Sequence, residues 1–180
     1  MPLPEMYFSV DVRANGPIPG EYSLASLGCA VVGRPALVYY AELKPISDLE
    51  DPDAVKANGL TMSHLLEKGQ DPHEAMRRFA DWVRGVTGTT HRPVFVGFNA
   101  AFDWSFVNWY LIRFTESNPF GESALDIKSY FMGLTNEEWT NTTKQAVARE
   151  FPTERPHSHN ALDDALHQAE LFEKMLASRS

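Results

Sequence analysis

Between residues 7 and 43, three β-rich runs follow one another with only two turn-dense segments between them. No helix fits into that stretch. Tyr7–Val12 is a short, mainly apolar run that reads as a buried strand and ends on acidic chemistry at Asp11. Asn15-Gly16-Pro17-Ile18-Pro19-Gly20 is dense in turn formers and reads as a loop. Ser23–Val32 and Ala36–Leu43 are β-rich, and Gly33-Arg34-Pro35 between them reads as a hairpin connection. The chain therefore begins as three strands joined by short turns.

After Leu43 the pattern becomes helical and then alternates. Asp51-Pro52-Asp53 and Thr61-Met62-Ser63 open short helical pieces. Asp71-Pro72-His73-Glu74 is a stronger start, with a capping aspartate, proline at the first helical position and glutamate at the third. Met76, Phe79, Ala80, Val83 and Val86 then recur at helical spacing and define one apolar stripe. Pro93–Phe98 reads as a strand, Asn99–Arg113 as a helix and Ser123–Asp126 as another short strand. A last helix is expected over Ala161–Ser178, with Leu162, Ala165, Ala169, Phe172 and Leu176 toward the core. Strands first, then strands alternating with helices, predict an α/β domain with helices packed on a mixed sheet. No repeat or low-complexity linker divides residues 1–180, so a single domain is expected.

Composition narrows the functional classes. With 43% hydrophobic and 22% charged residues the chain has the profile of a folded globular protein. No apolar run approaches the roughly 20 residues needed to span a bilayer, and Met1–Glu5 has no signal-peptide pattern. The single cysteine, Cys29, excludes an internal disulfide, and its place in an apolar run suggests inert core. A cytoplasmic protein is expected. The net charge of −8 argues against coating long nucleic acid through a broad basic face. It leaves room for an enzyme acting on a short strand or a chain end, where metal ions supply positive charge.

Three acidic residues sit at structural junctions. Asp11 ends the first strand, Asp103 begins the helix after the Pro93–Phe98 strand, and Asp164 lies in the first turns of the last helix, five residues after His159. Each alone has an ordinary reading, as a helix-terminal charge for Asp103 and Asp164 or as a solvated strand end for Asp11. Together they can converge on one sheet edge, where oxygen ligands suit hard cations such as Mg²⁺ or Mn²⁺.

Their surroundings resemble the DEDDh (DnaQ-like) 3′→5′ exonuclease family, which includes proofreading subunits, oligoribonucleases and RNase T-type enzymes. The family's D-x-E motif corresponds to Asp11-Val12-Arg13, its N-x-x-F-D motif to Asn99-Ala100-Ala101-Phe102-Asp103, and its H-x-A-x-x-D motif to His159-Asn160-Ala161-Leu162-Asp163-Asp164. The three fall in the family's order over almost the whole chain. The resemblance implies a ribonuclease-H-like three-layer fold with a mixed five-stranded sheet and flanking helices. It also implies release of nucleoside monophosphates from short single-stranded DNA or RNA, with a homodimer as the expected assembly. Two metal ions would clamp an in-line displacement. Asp11, Asp103 and Asp164 would hold them, and His159 would take the proton of the attacking water. Motif register selects Asp164 over Asp163.

Arg13 breaks the pattern. Residues two apart on a strand share a face, so Arg13 should project toward the same site as Asp11, where the family has a metal-binding glutamate. Four carboxylates match two divalent cations. Three carboxylates and one guanidinium carry a net −2 and match one. Arginine cannot deprotonate to relieve this, so impaired metal use is expected. Three arrangements are open: Arg13 bends away, Arg13 pairs with Asp103 or Asp164 and replaces a metal, or another carboxylate such as Glu21 substitutes.

The alternative function is a catalytically silent module that binds nucleic-acid ends on the same fold. An unrelated α/β hydrolase has neither a G-x-S-x-G elbow nor an H-E-x-x-H helix to support it. Arg13, Ala14, Asn15, Asn99 and Phe102 are candidate substrate contacts; a plain turn explains Ala14-Asn15-Gly16 equally well, and packing explains Phe102. Trp104, Trp109 and Tyr110 are able to stack on bases, but at helical spacing core is the expectation. Asp126 is a candidate supporting or capping residue, and His157 a solvated loop residue.

Overall fold

The computed structural model describes residues 2–155 and 158–179. Its five strands are β1 (Glu5–Ala14), β2 (Leu24–Val31), β3 (Arg34–Glu42), β4 (Arg92–Gly97) and β5 (Ala124–Asp126), in the sheet order β3-β2-β1-β4-β5. β2 pairs antiparallel with both β1 and β3, while β4 runs parallel to both β1 and β5. This is the mixed sheet expected from the meander followed by alternation. The helices are α1 (Pro52–Asn58), α2 (Met62–Lys68), α3 (Pro72–Thr87), α4 (Ala100–Thr115), α5 (Ile127–Thr135), α6 (Lys144–Glu150) and α7 (Ala161–Ala177), with a 3₁₀ turn at Trp139–Asn141.

Strand alternation sorts β1 into two faces. Met6, Phe8, Val10, Val12 and Ala14 enter one core with Met76, Phe79 and Val83 of α3 and Phe106, Tyr110 and Leu111 of α4. The opposite face carries Tyr7, Ser9, Asp11 and Arg13 toward α7. There the Tyr7 ring meets Phe172 edge-on, and the Ser9 hydroxyl donates to the Ala165 carbonyl at 2.8 Å. The second core, built from Val96, Ile127, Phe131, Val147, Leu171, Phe172 and Met175, lies between the sheet and α5, α6 and α7. The period of two thus turns one strand into a support for both layers.

Several expectations require correction. Arg34 and Pro35 belong to β3, and the hairpin turns at Val32-Gly33, where Gly33 takes φ +75°. Such a backbone is inexpensive only for glycine. α4 begins at Ala100 because Asn99 sits in the left-handed region at φ 64°. α5 and α6 were not anticipated, although caps announce both: Asp126 accepts from the Ser129 amide and Thr143 from the Ala146 amide. On α7 Ala165, Ala169 and Phe172 are buried as expected, together with Ala161, Asp164, Gln168, Leu171 and Met175, while Leu162 and Leu176 are half-buried. Two polar side chains hold positions that an apolar stripe would assign to carbon. On α3 the buried place near the C-terminus goes to Thr87, whose hydroxyl bonds the Val83 carbonyl, and Val86 is half-buried.

The start of α7 is set by close approach to β2. A Cβ on Gly28 would collide with the Ala161 carbonyl and the Leu162 amide, which are backbone atoms unable to swing aside. Gly28→Ala should push the first turn of α7, and with it Asp164, away from the sheet. We expect a loss of about 1–3 kcal/mol, as for overpacking elsewhere, read as a lowered midpoint in chemical denaturation.

Candidate active site

Asp11, Asp103 and Asp164 come together where the C-terminal part of β1 meets the first turns of α4 and α7. All three are buried, Asp164 completely. Each is held by a specific donor. The Val12 amide donates to Asp103 Oδ1 at 2.9 Å, tying α4 to β1. Gln168 Nε2 donates to Asp11 Oδ1 at 2.9 Å, while its Oε1 accepts from the Phe98 amide at 3.2 Å. The Ser158 amide donates to Asp164 Oδ1 at 3.1 Å. Asp163 is exposed and takes the Ser158 hydroxyl at 2.7 Å, so the register favouring Asp164 agrees with the geometry.

Arg13 does not bend away. Its Nη2 lies between two of the carboxylates, 3.1 Å from Asp11 Oδ2 and in direct contact with Asp164 Oδ2. Of the three arrangements open from sequence, the structure takes the one in which Arg13 pairs with Asp164. Glu21 is exposed and, among the described residues, enters no hydrogen bond or ion pair with the carboxylates.

Burial dominates the protonation of this cluster. It pushes the Asp11 carboxyl up to about 6, against the opposing pull of Arg13 and with Asp164 adding to the rise. Burial also drives Asp103 well above the usual carboxylate range, and the neighbouring charge of Asp11 reinforces it. Lys144, at the start of α6, acts in the other direction on both groups and places its Nζ 5.6 Å from the centre of the Phe98 ring. Gln168 and Lys144 are the site residues that sequence reasoning missed. A polar residue within an apolar helical face was the available signal for Gln168. Lys144 is marked only by the Thr143 cap.

A cavity of about 360 Å³ borders the site through Arg13; its walls also include Tyr40, Glu42, Lys56, His159 and Asn160, and none of the three carboxylates lines it. His159 is exposed and adopts φ 63°, left-handed for a residue other than glycine, immediately before the Asn160 cap of α7. Asn160 accepts from the Leu162 and Asp163 amides. His157 lies outside the described residues.

The remaining candidates divide between surface and scaffold. Asn99 is exposed and makes no side-chain cap. Phe102 is half-buried, with its ring 5.2 Å from Phe106. The Ala14 carbonyl accepts from Asn58 at 3.3 Å, the Asn15 amide donates to the Ser23 carbonyl, and the Asn15 carbonyl accepts from Asp51. That backbone is committed to the fold. Trp104 meets Phe95 edge-on at 5.2 Å, Trp109 packs beside Tyr110, and the Tyr110 hydroxyl accepts from the Leu24 amide. Asp126 caps two helices, accepting from Ala100 at 2.9 Å and from both the amide and the hydroxyl of Ser129.

The donor set suits a hard cation in kind, being carboxylate oxygens, but Asp11 Oδ2 already faces the Arg13 guanidinium at 3.1 Å. With the Arg13 guanidinium in place, however, no three His, Cys, Asp or Glu side chains among the described residues gather closely enough to enclose an ion. Arg13 thus stands where an ion shared by Asp11 and Asp164 would be held.

The profile of the exonuclease family matches residues 41–172, beginning on β3 and thus leaving out the strand that bears Asp11 and Arg13. A relative from Escherichia coli, the 3′-5′ DNA exonuclease Cap18, is 44% identical over 168 residues, covering 93% of this chain and 90% of its own. The nuclease domain of 3′hExo, a DEDDh family member solved with rAMP, superposes with a TM-score of 0.80 at 12% identity, covering 97% of this chain and 92% of that one. Escherichia coli exonuclease I in complex with a dA16 oligonucleotide gives 0.73 at 16% identity, covering 98% of this chain but 41% of that one. The chain belongs to the exonuclease family, and its fold is that of the DEDDh 3′→5′ exonucleases.

The raised Asp11 carboxyl has a measurable consequence. Between about pH 4, where an unfolded aspartate titrates, and about 6, the folded state holds the proton more tightly than the unfolded state. Stability contributed by this group is therefore lost as pH rises through that window. Thermal unfolding of metal-free protein should show a midpoint falling from pH 4.5 to 6.5 relative to Asp11→Asn. Parallel profiles for the two proteins would contradict the assignment.

Proposed function

We propose that the chain is a metal-dependent 3′→5′ exonuclease that removes nucleoside monophosphates from the 3′ ends of short single-stranded DNA. The observation that carries the reading is the gathering of Asp11, Asp103 and Asp164 at the end of β1, beside a cavity lined by His159. DNA is favoured over RNA by the relative at 44% identity, whose name specifies DNA. The single cysteine, buried and free, supports a reducing, cytoplasmic setting.

The residues divide the work. Asp11, Asp103 and Asp164 are the groups to hold divalent metal, and Gln168, the Val12 amide and the Ser158 amide orient them. Mg²⁺ or Mn²⁺ bound there supplies polarisation of the phosphate and acidification of water. His159 takes the proton from water as the water oxygen bonds to phosphorus. The phosphorus–O3′ bond breaks, the terminal nucleotide leaves as a 5′-monophosphate, and the departing O3′ takes a proton from solvent water, so that the shortened strand ends in a 3′-hydroxyl. Arg13 and Lys56 place positive charge on the cavity wall, matching a phosphate-bearing chain end despite the net charge of −8. Arg13 also competes with metal for Asp11 and Asp164, so this site works more slowly than one with glutamate at that position.

A 5′-labelled single-stranded oligonucleotide incubated with the protein in Mn²⁺ should give a ladder shortening from the 3′ end. Asp103→Ala should reduce the rate to background, and His159→Ala should lower it by about 10²–10⁴-fold, the usual contribution of a general base. An uncut label at every Mn²⁺ concentration would eliminate the enzyme reading. Retained binding of the oligonucleotide, measured by fluorescence anisotropy, would then identify the silent end-binding module.

A further inference from the structure

We propose that Ser158 is a positioning residue for His159: latched to Asp163 and Asp164, it fixes the loop on which His159 stands at the cavity wall. The inference rests on the exonuclease reading, in which His159 accepts the proton. The latch itself is measurable without any cutting.

His159 adopts φ 63°. For a residue with a Cβ this left-handed backbone is disfavoured by sterics, and it persists only where the surroundings over-determine it. The residues on either side supply that restraint. Ser158 is gripped twice by the first turn of α7, its amide donating to Asp164 Oδ1 at 3.1 Å and its hydroxyl to Asp163 Oδ2 at 2.7 Å. The same hydroxyl oxygen accepts from the Asn160 amide at 3.3 Å. Asn160 Oδ1 in turn accepts from the Leu162 and Asp163 amides at 2.9 and 3.3 Å. His159 is therefore the middle residue of a short span whose two ends are both fastened to α7. Ser158, His159 and Asn160 all line the cavity that Arg13 shares with the site. The fastening acts where the imidazole has to stand.

The chemistry of the serine suits this task. A hydroxyl has one proton to give and lone pairs to receive. Here the proton goes to a carboxylate, which makes the stronger, charge-assisted kind of bond, and the oxygen remains open to the Asn160 amide. Two adjacent acids thereby take different roles. Asp164 is fully buried, contacts Arg13 and belongs to the site, whereas Asp163 is exposed and holds the serine hydroxyl. Because the amide half of the grip ends on Asp164, the place of His159 is tied to that of a site carboxylate. A favourable negative charge at the start of a helix would account for Asp163 on α7 but not for its bond to a side chain five residues earlier. That simpler role predicts an effect on stability alone, and the latch predicts an effect on turnover.

Steady-state kinetics on a single-stranded oligonucleotide in Mn²⁺, with amide hydrogen exchange followed by NMR on the same proteins free of metal, tests the inference. Ser158→Ala removes the hydroxyl and keeps the amide bond to Asp164. Its kcat should fall by about tenfold with KM changed by less than about twofold, and its Asn160 amide should exchange about tenfold faster. Ser158→Thr retains a hydroxyl and should restore both values. Asp163→Ala should reproduce Ser158→Ala, and the double variant should be no slower than either single one, because both remove the same interaction. Full turnover in Ser158→Ala, additive losses in the double variant, or unchanged exchange at Asn160 would each overturn the inference. If the natural chain leaves the oligonucleotide uncut, the exonuclease reading falls by itself and exchange decides the latch. Faster exchange in both Ser158→Ala and Asp163→Ala would then sustain it, and rates equal to those of the natural chain would overturn it.

Discussion

Three carboxylates cannot share a buried corner of a protein unless positive charge or bound protons come with them. At an effective dielectric of about 20, two like unit charges ~4 Å apart repel by about 4 kcal/mol. Asp11, Asp103 and Asp164 are all withdrawn from water, and the Arg13 guanidinium is the protein's own answer for two of them. That contact also joins the first strand to the last helix, across 151 residues of sequence. The β1–α7 pairing is reinforced by Ser9 with Ala165 and by Asp11 with Gln168. The electrostatics of the site and the docking of its helix are therefore one structural feature.

This coupling explains why the supporting residues are so exacting. Gly28 lacks a Cβ because the first turn of α7 lies directly on the β2 backbone. Gln168 occupies a helix position suited to an apolar side chain because a carboxylate beneath it needs a donor and the Phe98 amide needs an acceptor. Asp126 holds α4 and α5 by their first amides, which fixes the turn from which Asp103 projects. Each of these residues sets where one of the clustered carboxylates stands.

Relative to the family, one substitution changes the physical character of the centre without changing its fold. A glutamate two residues after Asp11 would add negative charge and call for metal. Arginine at the same place on the same face subtracts it and meets the carboxylates directly. Arg13 still pairs with Ser26 of β2, immediately before the register shifts between Arg13 and Ala14. The sheet specifies a direction for the side chain, and the charge then finds its partner.

Much of this was legible in the chain itself. The turn-dense segment after β1, the β2–β3 connection and the capped start of α3 follow from local backbone preferences, which act over a few residues and need no knowledge of the fold. Motif spacing singled out Asp11, Asp103, His159 and Asp164 as candidates, the structure brings the three carboxylates together, and strand periodicity aimed Arg13 at Asp11 and Asp164. Tertiary structure decided the rest. The partner that Arg13 chose, the role of Gln168, the reach of Lys144 and the need for Gly28 all depend on which surfaces meet across long stretches of sequence. The short helices α5 and α6 show the boundary well: their caps were present in the residues, yet helices this brief gain most of their stability from packing. Local chemistry writes turns, caps and faces into a sequence, whereas desolvation and charge pairing acquire values only when distant segments are brought into contact.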